Sequence, residues 1–325
     1  MMYRSLIALI FLASSISGCS LADFSSTVKG SQYMESGEYR QAEIYFQETV
    51  QEHPDNAIAR YYLGRFLLAQ NKAAEALPHF QRGIALDSGN ADYFFWLGVT
   101  YGELGDGNAE RISYEKALQQ NGSHPQAHLY MGHLRLRNGE FKQAIKEYDA
   151  VLKEVPTNAA ALYNRALILD IEGKDTEAKK AWLEYLKWYP AGQHALQATD
   201  HLNGLGDFSY ENHFLGNRTV TLAEIKFQRS GNKVSRSAHP SLRLVGATTV
   251  NLKKGTLQVV VYVNKNNKLA KQRAIEIENT LHELVPALSQ DRIQISWFDV
   301  PEKVINGEKV FVKSESVRIF LTNWK

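Results

Sequence analysis

The sequence predicts a helical solenoid followed by a smaller mixed α+β domain, and three observations lead there. One pattern recurs five times at a spacing of 34 residues between Gly30 and Pro190. Small residues and aromatics keep the same offsets from copy to copy. Past Gly204 and Gly206 the period stops and β-branched residues take over, which places a boundary near Asp207. A 34-residue period fits two helices and two turns, and so short a unit buries its apolar face only by stacking on its neighbours.

The elements follow in chain order. A single basic residue, Arg4, precedes the apolar run Leu6 to Ile16, which is too short to span a bilayer and reads as a secretion signal. Ile16, Ser17, Gly18 and Cys19 resemble a bacterial lipobox, so residues 1–18 are expected to be a lipoprotein signal peptide and 19–29 a lipidated linker, with Cys19 the acylated residue. Cys19 is the sole cysteine, which leaves no thiol for a disulfide, a metal or nucleophilic catalysis. Ser20 stands where inner-membrane lipoproteins usually carry Asp, so the resemblance implies the outer membrane, facing the periplasm. Acyl chains would supply the membrane contact.

The solenoid is expected over residues 30–206. Gly30, Gly64, Gly98, Gly132 and Ala166 share one position, where a close helix contact admits only small residues. Ala42, Ala76, Glu110, Ala144 and Ala178 come twelve residues on, and Phe46, Phe80, Tyr114, Tyr148 and Trp182 form the aromatic knob of each second helix. Gly37, Asn71, Gly105, Gly139 and Gly173 stand where the first helix must end, a place that favours residues able to turn left-handed. Pro54, Pro156 and Pro190 close three repeats, and an amphipathic stretch from His194 to Leu205 is expected to cap the stack. These offsets resemble the tetratricopeptide family. The resemblance implies a concave binding surface lined by first helices, with a protein as its partner.

On that surface one register position reads Tyr61, Phe95, Leu129 and Tyr163, and another reads Arg65, Val99, His133 and Leu167. An apolar ladder of this spacing suits a peptide with regularly placed apolar anchors. It suits interhelical packing equally well. The two-lysine carboxylate clamp of chaperone-binding relatives is absent.

Residues 207–325 read as a domain of their own. Thr219 to Phe227, Leu257 to Val263, Arg292 to Phe298 and Val317 to Leu321 are expected strands, and Ala270 to Leu284 has helical spacing. The order suggests an α+β sandwich with helices on one face of a sheet. Leu222, Ile225 and Phe227, then Leu242, then Val259, Val260 and Val261, and finally Asn266, Leu269, Arg273 and Ala274 resemble the OmpA-like periplasmic domain that grips peptidoglycan. The resemblance implies that Arg273 binds a carboxylate of the wall peptide, with Asn266 at the helix entry and Lys265, Lys268 and Lys271 as an electrostatic surround. The family's loop aspartate, which would receive an ammonium group, is missing: only Asn264 and Lys265 separate Val263 from Asn266.

Charge is divided along the chain. Ser20 to Phe208 carries 18 basic and 25 acidic residues, whereas Ser209 to Lys325 carries 18 and 10. Ile225 to Ile275 holds eleven basic residues and no acidic one. Such a stretch is either a solvated face or an attractor of anions. In the expected compartment those anions are wall carboxylates, lipid phosphates or acidic proteins, not nucleic acid. The familiar catalytic and phosphate-loop motifs are absent. His124, His128 and His133 lack an acidic companion nearby, so no metal site and no cofactor are expected. The sequence reads as a non-enzymatic outer-membrane scaffold whose repeats bind protein and whose basic domain contacts peptidoglycan or the envelope. The alternative is a pilotin-like assembly factor of a pilus or secretion system.

Overall fold

The computed structural model describes residues 22–229 and 231–323. The expected signal peptide and Cys19 lie outside these residues. The chain divides into two compact units, Met1–Pro156 and Thr157–Lys325. The fifth repeat and the capping helix therefore belong to the same unit as the carboxy-terminal domain.

In the first unit, α1 spans residues 22–36 and is followed by α2 (Tyr39–Glu52), α3 (Ala57–Ala69), α4 (Ala73–Leu86), α5 (Ala91–Glu103), α6 (Gly107–Gln120), α7 (Pro125–Arg137) and α8 (Phe141–Glu154). The helix thus begins upstream of Gly30, inside the stretch read as linker. Its early turns are held because Ser26, 2% exposed, accepts a hydrogen bond from Asn56 Nδ2 at 3.1 Å.

The small-residue position has a more specific cause than close helix approach. A Cβ built on Gly64, Gly98 or Gly132 would lie 2.6, 2.5 or 2.7 Å from the ring of Phe80, Tyr114 or Tyr148. Each glycine thus leaves room for the aromatic knob of its own repeat. At Gly30 the ring met is Tyr62, at 2.3 Å. All five knobs are 0–1% exposed, and burying an aromatic of this size stabilises by roughly 2–3 kcal/mol. The five turn residues all take positive φ, from 61° at Asn71 to 79° at Gly105.

A second 34-residue register governs helix starts. Asn56, Asn90, His124 and Asn158 cap α3, α5, α7 and the helix that begins at Ala159, each side chain accepting a backbone N–H. Such caps contribute about 1 kcal/mol each. Ion pairs then link elements within the unit: Lys72 to Glu43 at 2.7 Å, Arg135 to Glu147 at 3.1 Å and Arg137 to Glu110 at 2.7 Å. Glu110, the one departure from Ala at its register position, is 5% exposed. Arg137 and the Tyr114 hydroxyl, 3.4 Å away, satisfy it.

The second unit opens with α9 (Ala159–Ile171), α10 (Asp175–Trp188) and α11 (Gln193–Gly204), and α11 is the expected cap. Then come β1 (Tyr210–Leu215), β2 (Arg218–Ala223), α12 (His239–Asn251), β3 (Thr256–Val263), α13 (Asn267–Leu284), β4 (Ile293–Phe298), β5 (Glu302–Asn306), β6 (Lys309–Lys313) and β7 (Glu315–Thr322). The central sheet runs β4-β3-β7, with β4 parallel and β7 antiparallel to β3. β1 with β2 and β5 with β6 form antiparallel hairpins. β3 alternates strictly, and its buried Leu257, Val259, Val261 and Val263 share one core with Leu242 and Val245 of α12 and Ala270, Ala274, Ile277 and Leu281 of α13. The expected first strand ends early: Ile225 and Phe227 follow β2, and Phe227 bridges to Val234.

α11 is bound into this domain. Asn203 Nδ2 donates to the carbonyls of Asp207 and Tyr210, both at 2.8 Å, and Asn212 Nδ2 donates to the Leu196 carbonyl at 3.0 Å and to Asp200 at 2.9 Å. Lys309 Nζ reaches the Gly204 carbonyl at 3.2 Å. Four charges are enclosed nearby: Lys313 hydrogen-bonds Glu211, Arg318 hydrogen-bonds Glu302, and Arg318 lies 3.4 Å from Glu211. Glu211 and Glu302 are buried, 6% and 8% exposed.

Candidate functional site

The first helices of the first unit bring together an arginine and several rings. Arg65, on α3, lies with Cζ 4.7 Å from the Trp96 ring centroid, 5.3 Å from Tyr61 and 6.0 Å from Tyr62. Its Nη1 donates to the Tyr61 hydroxyl at 3.2 Å, while its Nε is buried without a hydrogen-bond partner. Tyr61 packs in turn on Tyr93, with centroids 5.4 Å apart. Burial pushes the Tyr61 phenol above its ordinary pKa, so it stays neutral and can accept from Arg65. Rings around a guanidinium fix its plane while leaving its charge. A fixed guanidinium is a carboxylate receptor.

The predicted ladder is realised only in part. Tyr61, Leu129, Arg65 and His133 are half-buried. Phe95, expected as a partner anchor, is 1% exposed, because Trp96, Tyr114, His124 and Tyr130 all pack on its ring. It is a core residue. His133 lies between Tyr130 and Tyr148, each 5.8 Å away, and burial lowers its pKa. Tyr163 lies in the second unit, against Trp182, Tyr185 and His194, and its hydroxyl donates to Gln197 at 3.1 Å. Sequence reasoning missed Trp96, which follows the ladder residue directly, and Tyr130, 38% exposed.

The histidines have structural duties. His124 Nδ1 accepts the Ala127 N–H, so its proton sits on Nε2, which donates to Asp92 at 3.0 Å. That hydrogen bond holds the Asp92 carboxyl below its ordinary pKa. Both ring nitrogens of His128 face acceptors, Glu147 at 2.6 Å and the Gly122 carbonyl at 3.0 Å. The Glu147 contact raises the His128 pKa and favours the imidazolium. Acidic companions are therefore present, contrary to the sequence reading, and they engage the rings one by one. Among the described residues no group of three or more His, Cys, Asp or Glu is placed to hold a metal ion.

The residues expected to touch the wall are separated by burial. Lys265, Lys268 and Lys271 are exposed, and Lys271 Nζ lies 5.2 Å from the Trp297 ring. Asn266 caps α13, accepting the Leu269 N–H at 3.0 Å. Arg273 is 4% exposed. Its Nε donates to the Gly231 carbonyl at 3.1 Å, its Nη1 to Glu315 at 2.7 Å, and its Cζ lies 4.4 Å from the Phe227 ring. The expected open grip is thus covered by the segment after β2 and engaged by a carboxylate of the chain itself.

The paired helices, the knob-and-glycine register and the face of first helices define a repeat protein built for binding other proteins. A tetratricopeptide repeat model matches residues 27–91, 67–128 and 129–195, which together span more than half of the chain, and the protein belongs to that family. It is 26% identical over 148 residues to the human protein O-mannosyl-transferase TMTC3, a match covering 44% of this chain and 16% of that protein. The chain spans less than a fifth of the length of the curated relatives it matches. Among solved structures, PilF of Pseudomonas aeruginosa aligns with a TM-score of 0.53 at 17% identity, covering 58% of this chain and 86% of that one. PilW, described as a widely conserved type IV pilus biogenesis factor, aligns with a TM-score of 0.49 at 18% identity, covering 55% and 86%. The likeness to PilF shows the fold of the repeats alone. Among the described residues no helix is long and apolar enough to cross a membrane.

Proposed function

We propose that the protein is a non-enzymatic scaffold of the bacterial envelope. It is held at the outer membrane through acylated Cys19, faces the periplasm, recruits a protein through the first helices of its repeats, and contacts the cell wall with its carboxy-terminal domain. The observation that carries the partner site is Arg65 held among Trp96, Tyr61 and Tyr62. Half-buried aromatics beside a charge of fixed orientation suit a peptide that offers an apolar side chain next to a carboxylate. The OmpA-like reading draws support from the order β2, α12, β3, α13, β4, β7 and from β3 lying between β4 and β7.

Capture of envelope proteins by wild type and by Arg65→Ala and Trp96→Ala tests the partner site. Each substitution is expected to weaken capture by more than about 1 kcal/mol, with helicity by circular dichroism unchanged. Undiminished capture by a folded double variant would move the partner site elsewhere.

A further inference from the structure

A cavity of about 350 Å³ opens beside Arg273, lined by Glu224, Lys226, Phe227, Gln228, Glu315 and Ser316 among others. The two members of its ion pair differ sharply. The Arg273 side chain is 5% exposed and has three contacts, whereas the Glu315 side chain is 55% exposed. Glu315 opens β7 opposite Val263, at the end of the sheet where the chain leaves for α13. Glu315 shares the face of the sheet that carries Val263 and Val317, the face on which α13 packs, so its carboxylate meets Arg273 from the cavity side.

We propose that Glu315 is an internal ligand of Arg273, and that the cavity admits an external carboxylate only by exchange with it. A buried guanidinium cannot be left uncompensated, so the site changes partner only by swapping one carboxylate for another. The exposed glutamate can release to water at small cost, whereas the arginine is fixed by Phe227 and the Gly231 carbonyl. An incoming carboxylate would take the Glu315 position on Nη1. Ligands lacking a carboxylate would leave the guanidinium unmatched. Glu315 thereby lowers the affinity of the cavity for every carboxylate and sets its threshold for binding.

The test uses the full chain and a matched probe pair, N-acetylglycine and N-acetylglycinamide, with binding read by NMR shifts of the Arg273 Nε–H. Glu315→Gln is expected to bind the acid at least tenfold more tightly than wild type, and neither protein to bind the amide. Arg273→Gln combined with Glu315→Gln, which leaves no unpaired charge in the cavity, is expected to lose the gain while keeping wild-type circular dichroism. Equal affinity of wild type and Glu315→Gln for the acid, or no binding by either, would reduce the pair to a structural salt bridge. Purified sacculi form a separate arm. If Glu315→Gln gains affinity for the soluble acid but neither protein co-sediments with sacculi, the exchange stands and the wall-contact reading falls.

Discussion

The repeats and the sheet domain build their interiors from different side chains and over different distances in sequence. The repeats fill their interior with neutral aromatics at one register position, Phe46, Phe80, Tyr114, Tyr148 and Trp182, and pair their buried Glu43, Glu110 and Glu147 with Lys72, Arg137 and Arg135 from the same or the next repeat. The sheet domain has an aliphatic core built from Leu, Val, Ile and Ala, and it gathers charges from three separate parts of the sequence, buried Glu211, buried Glu302 with Lys313, and half-buried Arg318. A repeat obtains its packing from residues sixteen apart. The sheet domain depends on groups about a hundred residues apart, as in the Glu211 to Lys313 bond.

The comparison fails first if the aromatic knobs are not the chief source of repeat stability. Phe80→Ala is expected to cost about 4 kcal/mol in denaturant unfolding of the repeats, and a loss below about 1 kcal/mol would refute the role given to the knob. For the sheet domain, Glu211→Gln leaves Lys313 and Arg318 short of a buried partner and is expected to cost about 3 kcal/mol. Thermal unfolding followed by near-ultraviolet circular dichroism reads it, and an unchanged midpoint would mean that the network is dispensable.

The smallest effect sharpens the contrast within the repeats. Because the folded-state pKa of His128 is raised by Glu147, its stabilisation is fully present below the unfolded value of 6.5 and is lost as pH rises through the folded pKa. Stability should therefore decline from about pH 6.5 upward, by about 1.5 kcal/mol, since the hydrogen bond is charge-assisted and both side chains are largely buried. His128→Gln should flatten that part of the profile, and an identical slope in the variant would assign it to another group.

How much could be read from the sequence follows the same division. The knob, small-residue and left-handed turn positions were legible because each depends on neighbours inside one period. The cap register at Asn56, Asn90, His124 and Asn158 was equally periodic yet went unread, since a histidine in the series hides the pattern. In the sheet domain β3 and β4 were legible from their apolar runs. β1 was missed because its buried side carries Glu211 and His213, so polar residues stand where apolar ones are expected. β5 and β6 were missed for the converse reason: Ile305, Val310 and Val312 are 60–74% exposed. α12 begins at His239 and Pro240 and ends in β-branched Thr248, Thr249 and Val250, a composition that does not favour helix. At the candidate site Arg65 and Tyr61 came from the register, but Trp96 could not. Phe95 turns inward against Tyr114, His124 and Tyr130, the last two from the next repeat, and leaves the adjacent Trp96 to the face.

The hydrogen bonds that tie α11 to the sheet domain bear on how such a chain can lengthen in evolution. An array usually grows by duplicating a repeat, which needs a free end face or an interior seam where one copy replaces another. Here the Gly204 carbonyl is taken by Lys309, and Asn203 is spent on Asp207 and Tyr210. Gly206, at φ 81°, allows no side chain beside Phe311, which a Cβ would approach to 2.9 Å. A copy inserted after α11 would have to rebuild every one of those contacts. The junction therefore fixes where the array stops, and any gain or loss of repeats has to occur upstream of it.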